Sequence, residues 1–232
     1  MKYLYFVVAL KLTCILSHAQ TLYPRLGITA SINTYGESNQ DMEPRIGFTA
    51  GLGYNLTLSN TISLQAELNY VQKSFKSLSS STTSIQYGDD IYVLQENISH
   101  QYTFSYLELP LLLKARLLHD NLFILGGLSV GMGLGGSHKY TYESTSSYLD
   151  PVYEEGSGKI KFGDTSSTTD EDVYFDNRWD VGLQVGLGAV VAKKIQIECR
   201  YNFGMINLNE NTDSKSRCLQ ISFSTPIELK RY

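Results

Sequence analysis

The side chains in this sequence best suited to chemistry are charged, and seven of them occupy alternate positions in otherwise apolar segments: Glu67, Glu108, Lys114, Arg116, Asp180, Glu198 and Arg200. Carboxylates and cations in such a setting either pair with one another away from water or hold protons at a reactive centre. The second use needs a nucleophile or an acid–base cluster, for which the candidates are Asp89, Asp90, His100 and His138. His100, His119 and His138 are dispersed, without the spacing of metal ligands, so no metal site and no cofactor are expected. Asp150, Glu154, Glu155, Asp164, Asp170, Glu171 and Asp172 lie among Ser and Thr at spacings that match no calcium loop, which leaves a solvated loop as the better account.

What positions the seven charges is a period of two. Leu107, Leu109, Leu111, Leu113, Ala115 and Leu117 alternate with Glu108, Pro110, Leu112, Lys114 and Arg116. Beyond a polar break at 118–121 the apolar set moves to even numbers, from Leu122 and Ile124 to Met132 and Leu134, against Phe123, Leu125, Gly127, Ser129, Gly131 and Gly133. Opposed residues of an antiparallel pair point to one face, so an even-length turn produces this switch of parity. The same alternation runs over 26–33, 46–58, 62–70, 179–191, 195–203 and 219–224, which makes eight strands. Short turns at 59–61, 118–121 and 192–194 take turns with longer loops at about 36–44, 76–101, 137–178 and 208–216. Tight turns at one end and long loops at the other mark an all-β, eight-stranded antiparallel up-and-down transmembrane barrel.

Energy assigns the faces. A Lys or Arg at the bilayer midplane costs about 2–4 kcal/mol, and the uncharged face of these strands carries none. The charged face therefore looks inward, where ion pairs beside glycines fill a plugged lumen. An eight-stranded barrel is too narrow for an open aqueous channel.

Residues 1–19 have a basic start, an apolar run and a small-x-small site at Ser17-His18-Ala19, the pattern of a signal peptide cleaved before Gln20. Lys11 interrupts the apolar run and argues against a lipid-attachment site at Cys14. No later stretch is long and apolar enough for a membrane-spanning helix. The composition, with 19 Gly, 17 Tyr and only 5 Pro in 232 residues, suits a β protein. A net charge of -4 argues against a nucleic-acid partner.

Tyr102, Phe104, Tyr106, Tyr140, Tyr142, Phe175 and Trp179 sit near the outer strand ends, as an interfacial girdle would, with a sugar-binding cluster as the sharper alternative. Cys199 shares the lipid-facing parity and Cys218 the lumen-facing one, so both are expected as free thiols. Pro110 lacks a ladder N–H and predicts a bulge or local break. Pro226, Glu228 and Lys230 spoil the alternation before Tyr232, so the last strand is expected to stop near Thr225.

The segment Tyr106-Leu107-Glu108-Leu109-Pro110-Leu111-Leu112-Leu113-Lys114 closely resembles the tyrosine-leucine-glutamate-isoleucine-proline-leucine-leucine-lysine segment of the PorT-like outer-membrane β-barrel family. Arg200-Tyr201 followed by Gly204-Met205-Ile206-Asn207 is similar to that family's strand end, as is Asp180-Val181-Gly182-Leu183 before a glycine-rich strand. The resemblance covers essentially all of 20–232. It implies a Gram-negative outer-membrane protein, associated in some members with protein secretion, and supplies no catalytic residues. The expected function is a non-enzymatic barrel acting in partner binding or envelope and secretion support through its outer loops. Its expected partners are outer-membrane lipid, the barrel-assembly machinery during biogenesis and a protein at the outer loops. The alternatives are a rim enzyme, protease or lipid-modifying, built on Asp89, Asp90, His100 and His138, and a small-solute channel.

Overall fold

The computed structural model describes residues 20–35, 41–87, 90–117, 121–147, 150–163, 172–191, 195–209 and 213–228. Residues 1–19 with Cys14, and Asp89, His119, Asp164, Asp170, Glu171 and Tyr232, lie outside them.

The alternating segments become strands because only that backbone puts every second side chain on one face. They are β1 (Gln20–Tyr35), β2 (Asp41–Thr57), β3 (Ile62–Tyr87), β4 (Asp90–Leu117), β5 (Leu122–Ser146), β6 (Val152–Phe162), β7 (Val173–Phe175), β8 (Trp179–Val191), β9 (Ile195–Asn207), β10 (Ser214–Ser224) and β11 (Ile227–Glu228). Eight of them, β1 to β5 and β8 to β10, close a ring in which each is antiparallel to both neighbours and β10 returns to β1. Closure removes the sheet edges that lipid could not satisfy. The two faces separate sharply on β4: Leu109, Leu111 and Leu113 are 54–58% exposed, while Glu108 and Leu112 between them are 1% and 0% exposed. The outward set continues as Leu26, Ile28, Leu52, Leu128, Leu183 and Ile221, an apolar belt around the ring.

Three strands outrun the alternation. β3, β4 and β5 have 26, 28 and 25 residues against 13 for β8 and β9. Crossing a bilayer takes about 9–11 residues, so about half of each projects beyond the belt. The segment expected as a loop over 76–101 is ladder almost throughout, with Leu78 opposite Ser99 and Tyr87 opposite Asp90. Likewise 137–178 holds the end of β5, then β6 antiparallel to it and β7 parallel to β6. Beyond the cap both faces of the sheet meet water, and the Ser/Thr-rich run of 79–84 has no apolar alternation to betray it.

Proline and glycine place the irregularities. Pro110 causes no register shift: it stands opposite Ser129 of β5, and on the β3 side only the rungs at Glu67 and Leu68 are lost. The bulge lies instead on β5, where Gly133 faces Tyr106 and Gly135 faces Ser105, leaving Leu134 as the extra residue. Gly135 has φ +129°, a conformation that favours glycine. β10 stops at Ser224, and β11 resumes in the same register on β1, the gap at Thr225–Pro226 falling opposite Tyr23 and Pro24. Two prolines without N–H groups account for the missing rungs. Cys199 stands opposite Ile221 and Cys218 opposite Asn202, on different faces, and both thiols are free.

β6 and β7 fold over the outer mouth of the ring. Ile160 and Phe175 join Phe75, Phe104, Tyr106 and Leu208 in a buried apolar cluster, with Tyr102 and Phe162 against it. Phe104 and Phe175 meet edge to face at 4.9 Å. Phe104, Tyr106 and Phe175 are therefore core of this cap, with Tyr102 packed against it, and not the interfacial girdle expected of them. On β4, Tyr102, Phe104 and Tyr106 share the parity of Glu108, which points inward. The residues that do meet the outside near this level are Trp179, 53% exposed, and the contacting pair Phe48 and Tyr70. Gly133 has no side chain under the cap, and a Cβ there would overlap the Phe162 ring. Gly133→Val is accordingly expected to unseat Phe162 at a cost of about 1–3 kcal/mol, read as faster amide exchange in β6 with β8–β10 unchanged.

Candidate functional site

The inward face of the ring gathers charge in two layers. In the first, Glu67 of β3 accepts hydrogen bonds from the Tyr23 hydroxyl (2.9 Å), Gln65 Nε2 (2.7 Å), Asn69 Nδ2 (2.8 Å), Arg25 Nη1 (2.7 Å), and Arg200 Nη1 (2.8 Å) and Nη2 (2.7 Å). The Arg200 contact is the two-pronged arrangement that a planar guanidinium makes with a carboxylate. Arg200 also donates to Glu198, which lies 3.8 Å from both Arg25 and Lys114. Lys114 donates to Gln196 Oε1 (2.7 Å) and sits 3.5 Å from the centre of the Phe123 ring.

The second layer lies toward the outer mouth. Lys73 of β3 donates to Asp180 Oδ2 (2.6 Å) and Glu108 Oε1 (3.3 Å), and its ammonium is 5.2 Å from the Tyr106 ring centre. Glu108 also accepts from Gln184 Nε2 (3.3 Å) and Asn202 Nδ2 (3.1 Å). Four cations and four carboxylates thus face one another inside the ring, and all eight are buried: Arg25, Lys73, Lys114, Arg200, Glu67, Glu108, Asp180 and Glu198. Buried ions persist only when paired and hydrogen-bonded, and the even balance of sign meets that condition.

Six of the seven charges singled out from the sequence are in this network. Arg116 is not: it stands at the last turn of β4 and is exposed, because the lumen opens to solvent there. Two members fall outside the alternating segments: Arg25 lies one residue before 26–33 and Lys73 three residues after 62–70. Arg25 has the parity of Gly27 and Thr29, and Lys73 that of Glu67 and Asn69, so carrying the period one residue further in the first case and three in the second finds both. Among the other motif residues, Tyr201 packs on Phe203 on the outward face at 4.5 Å, and the Asn207 carbonyl accepts from Asn177 Nδ2 (2.8 Å). Gly204 opens a register shift in which three residues of β9 oppose the single Ser216.

Of the four rim candidates Asp89 lies outside the described residues, and the other three do not converge. Asp90 is exposed at the far end of β4, ten residues from His100. His100 and His138 do meet, with Nδ1 of the first 3.0 Å from Nε2 of the second. Among the described residues no group of three or more His, Cys, Asp or Glu could hold a metal ion. Of the acidic set, Asp172 accepts from the Lys159 N–H (3.0 Å) and pairs with Lys161 (2.7 Å), while Glu154 and Glu155 are exposed on β6.

Among solved structures the chain is similar to Ail, the attachment invasion locus protein of Yersinia pestis, at 10% identity and TM-score 0.39, over 90% of this chain and 99% of that one. It is similar also to Neisserial surface protein A, at 7% identity and TM-score 0.39, over 88% and 96%. The outer membrane protein OprG of Pseudomonas aeruginosa gives 11% identity and TM-score 0.38, over 93% and 100%. The barrel rests on the closed ladder of strands and not on these likenesses. No protein with a curated description matches the chain. The sequence profile described as "Outer membrane protein beta-barrel domain" matches residues 19–210, nearly the whole of the chain, which therefore belongs to that family.

Proposed function

We propose that this protein is a non-enzymatic barrel of the PorT-like kind, with a plugged lumen, that binds a partner or supports envelope and secretion functions through its outer sheet. By family it is a protein of the Gram-negative outer membrane. On this proposal the leader at 1–19 delivers it there, the barrel-assembly machinery inserts it, and lipid covers the apolar belt. The neutral ion network under an apolar cap supports a lumen closed to solutes. The observation that carries partner binding is the projecting sheet of β3, β4, β5 and β6. Among the described residues nothing pairs with the β3 edge on the side of β2 beyond Leu78, which stands opposite the first residue of β2, Asp41. There Ser79-Ser80-Ser81-Thr82-Thr83-Ser84 are all exposed and uncharged, with no Pro, Lys or bulge of the sort that blunts edges. Such an edge accepts an extended segment of another polypeptide by main-chain hydrogen bonds.

A photo-cross-linking residue at Thr82, installed in cells that produce the protein, is expected to yield a discrete higher-mass adduct, and the same residue at Leu111 on the lipid face none. The purified barrel is expected to give no conductance steps in planar bilayers. Steps would overturn the closed lumen, and absence of an adduct at Thr82 would overturn the binding edge.

A further inference from the structure

The pair His100 and His138 is left over once the lumen network and the sheet edge are accounted for. It exists because of the bulge at Leu134. Below the bulge, even-numbered residues of β5 such as Leu128 and Val130 face lipid, and the extra residue reverses the parity. His138, Tyr140 and Tyr142 consequently point to the inner side, where even-numbered residues of β4 also point, and His138 is only 5% exposed. The two rings lie 17° from parallel with centres 5.2 Å apart. With facing nitrogens at 3.0 Å, that separation is an edge-to-edge contact in nearly one plane, the arrangement of an N–H···N hydrogen bond. Two lone pairs aimed along one line suit a shared proton better than a cation held at an angle.

The pair touches the cap. His138 stacks on Tyr102 at 4.9 Å, and Tyr102 meets Phe175 of β7 edge-on at 6.0 Å and Phe75 of β3 at 5.2 Å. In the ladder His138 stands opposite Gly158 of β6. The other titratable groups of this face are Tyr102 and Tyr140 beside the rings and, further out, Glu96 of β4, which accepts from the Tyr142 hydroxyl (2.6 Å), and Glu154 of β6. β3 presents Ser77 and Phe75 across from the pair.

We propose that this histidine pair is an acid-sensitive latch on the cap, holding β6 and β7 over the barrel mouth while neutral and releasing them when protonated. One N–H and one bare nitrogen between the rings are required, and once both rings are protonated two N–H groups and two charges face each other. Among the described residues His138 Nδ1 has no partner, so a charge on this buried ring is met by water only when the cap lifts. Burial lowers the His100 pKa from its ordinary 6.5, and burial together with the charge on His100 lowers that of His138. The unfolded or opened histidines bind protons first as pH falls, so the stabilisation is complete above about 6.5 and is lost as pH drops through the lowered values.

Hydrogen exchange of the full barrel in detergent micelles, corrected for intrinsic rates, tests the latch. Between about pH 7.5 and pH 5.5 the amides of β6 and β7 are expected to exchange at least about tenfold faster while β8–β10 keep their protection. His138→Gln and His100→Gln are expected to remove that response. An unchanged β6–β7 rate in the unaltered protein, or the same acid response in either variant, would overturn the latch. Should neither variant fold, the imidazole proton resonances of the unaltered protein decide: titration over the pH range of cap opening supports the latch, and titration outside it sinks it.

Discussion

Replacing Glu67 by Gln is expected to be the most damaging conservative change in the barrel, costing about 3–5 kcal/mol in urea unfolding from micelles or vesicles. The side chain is fully buried and accepts from two guanidiniums, a phenol and two amides. A neutral amide keeps the volume but removes the charge that Arg25 and Arg200 face, and its own N–H groups point at donors. Both cations are then left in an interior where an unpaired charge has no water to solvate it. Glu198 cannot serve for both, since it already takes Arg200 and lies 3.8 Å from Arg25 and Lys114. The cost is that of breaking the group, not the net worth of having it, and the two are separable. Glu67→Leu combined with Arg200→Met removes one charge of each sign, and the pair is expected to be less destabilising than the sum of the singles by about 0.5–3 kcal/mol. Strict additivity would show that Glu67 and Arg200 do not act as a unit.

The barrel is legible in the chain because a bilayer imposes one rule on every strand at once. Leu111 and Leu112 differ in no property a composition can weigh, yet one is 54% exposed and the other 0%, and only the period of two assigns them. The same rule, stopped early, loses Arg25 and Lys73 and with them half of the cations in the lumen. It fails for a different reason above the membrane. There the ladder of Ser79–Ser84 against Asn97, Glu96 and their neighbours is held by backbone bonds with no buried face to pattern it. His138 shows the limit most plainly. Extrapolated from Leu128 and Val130, its parity points outward, and a single extra residue at Leu134 turns it in to meet His100. A glycine at φ +129° two positions below Ser137 is the only local sign, and Gly135 is one glycine among the many of this strand. Tyr102, Phe104 and Tyr106 are the opposite case: their parity is that of Glu108 and points inward, although aromatic residues near strand ends also fit an interfacial belt.

Leu111→Arg is expected to cost about 2–4 kcal/mol in vesicles, because it sets a cation at the middle of the lipid-facing belt. β4 supplies its own control. Lys114, three residues on, is buried and has partners because its parity turns it to Gln196 and Glu198 on the lumen side. Chemistry of the residue is therefore not what decides tolerance here; the face is. On a soluble sheet Leu111 would be a surface side chain, and an Arg there would change stability by no more than about 0.5 kcal/mol. The two media give answers several-fold apart for one substitution, so the measurement reads what surrounds the strand. The penalty also has a depth profile: Leu117→Arg, beside the exposed Arg116 at the end of β4, is expected to cost no more than about 1 kcal/mol. A uniform small effect at both positions would put the belt in water, and a uniform large one would mean that the apolar face is buried against protein instead of lipid.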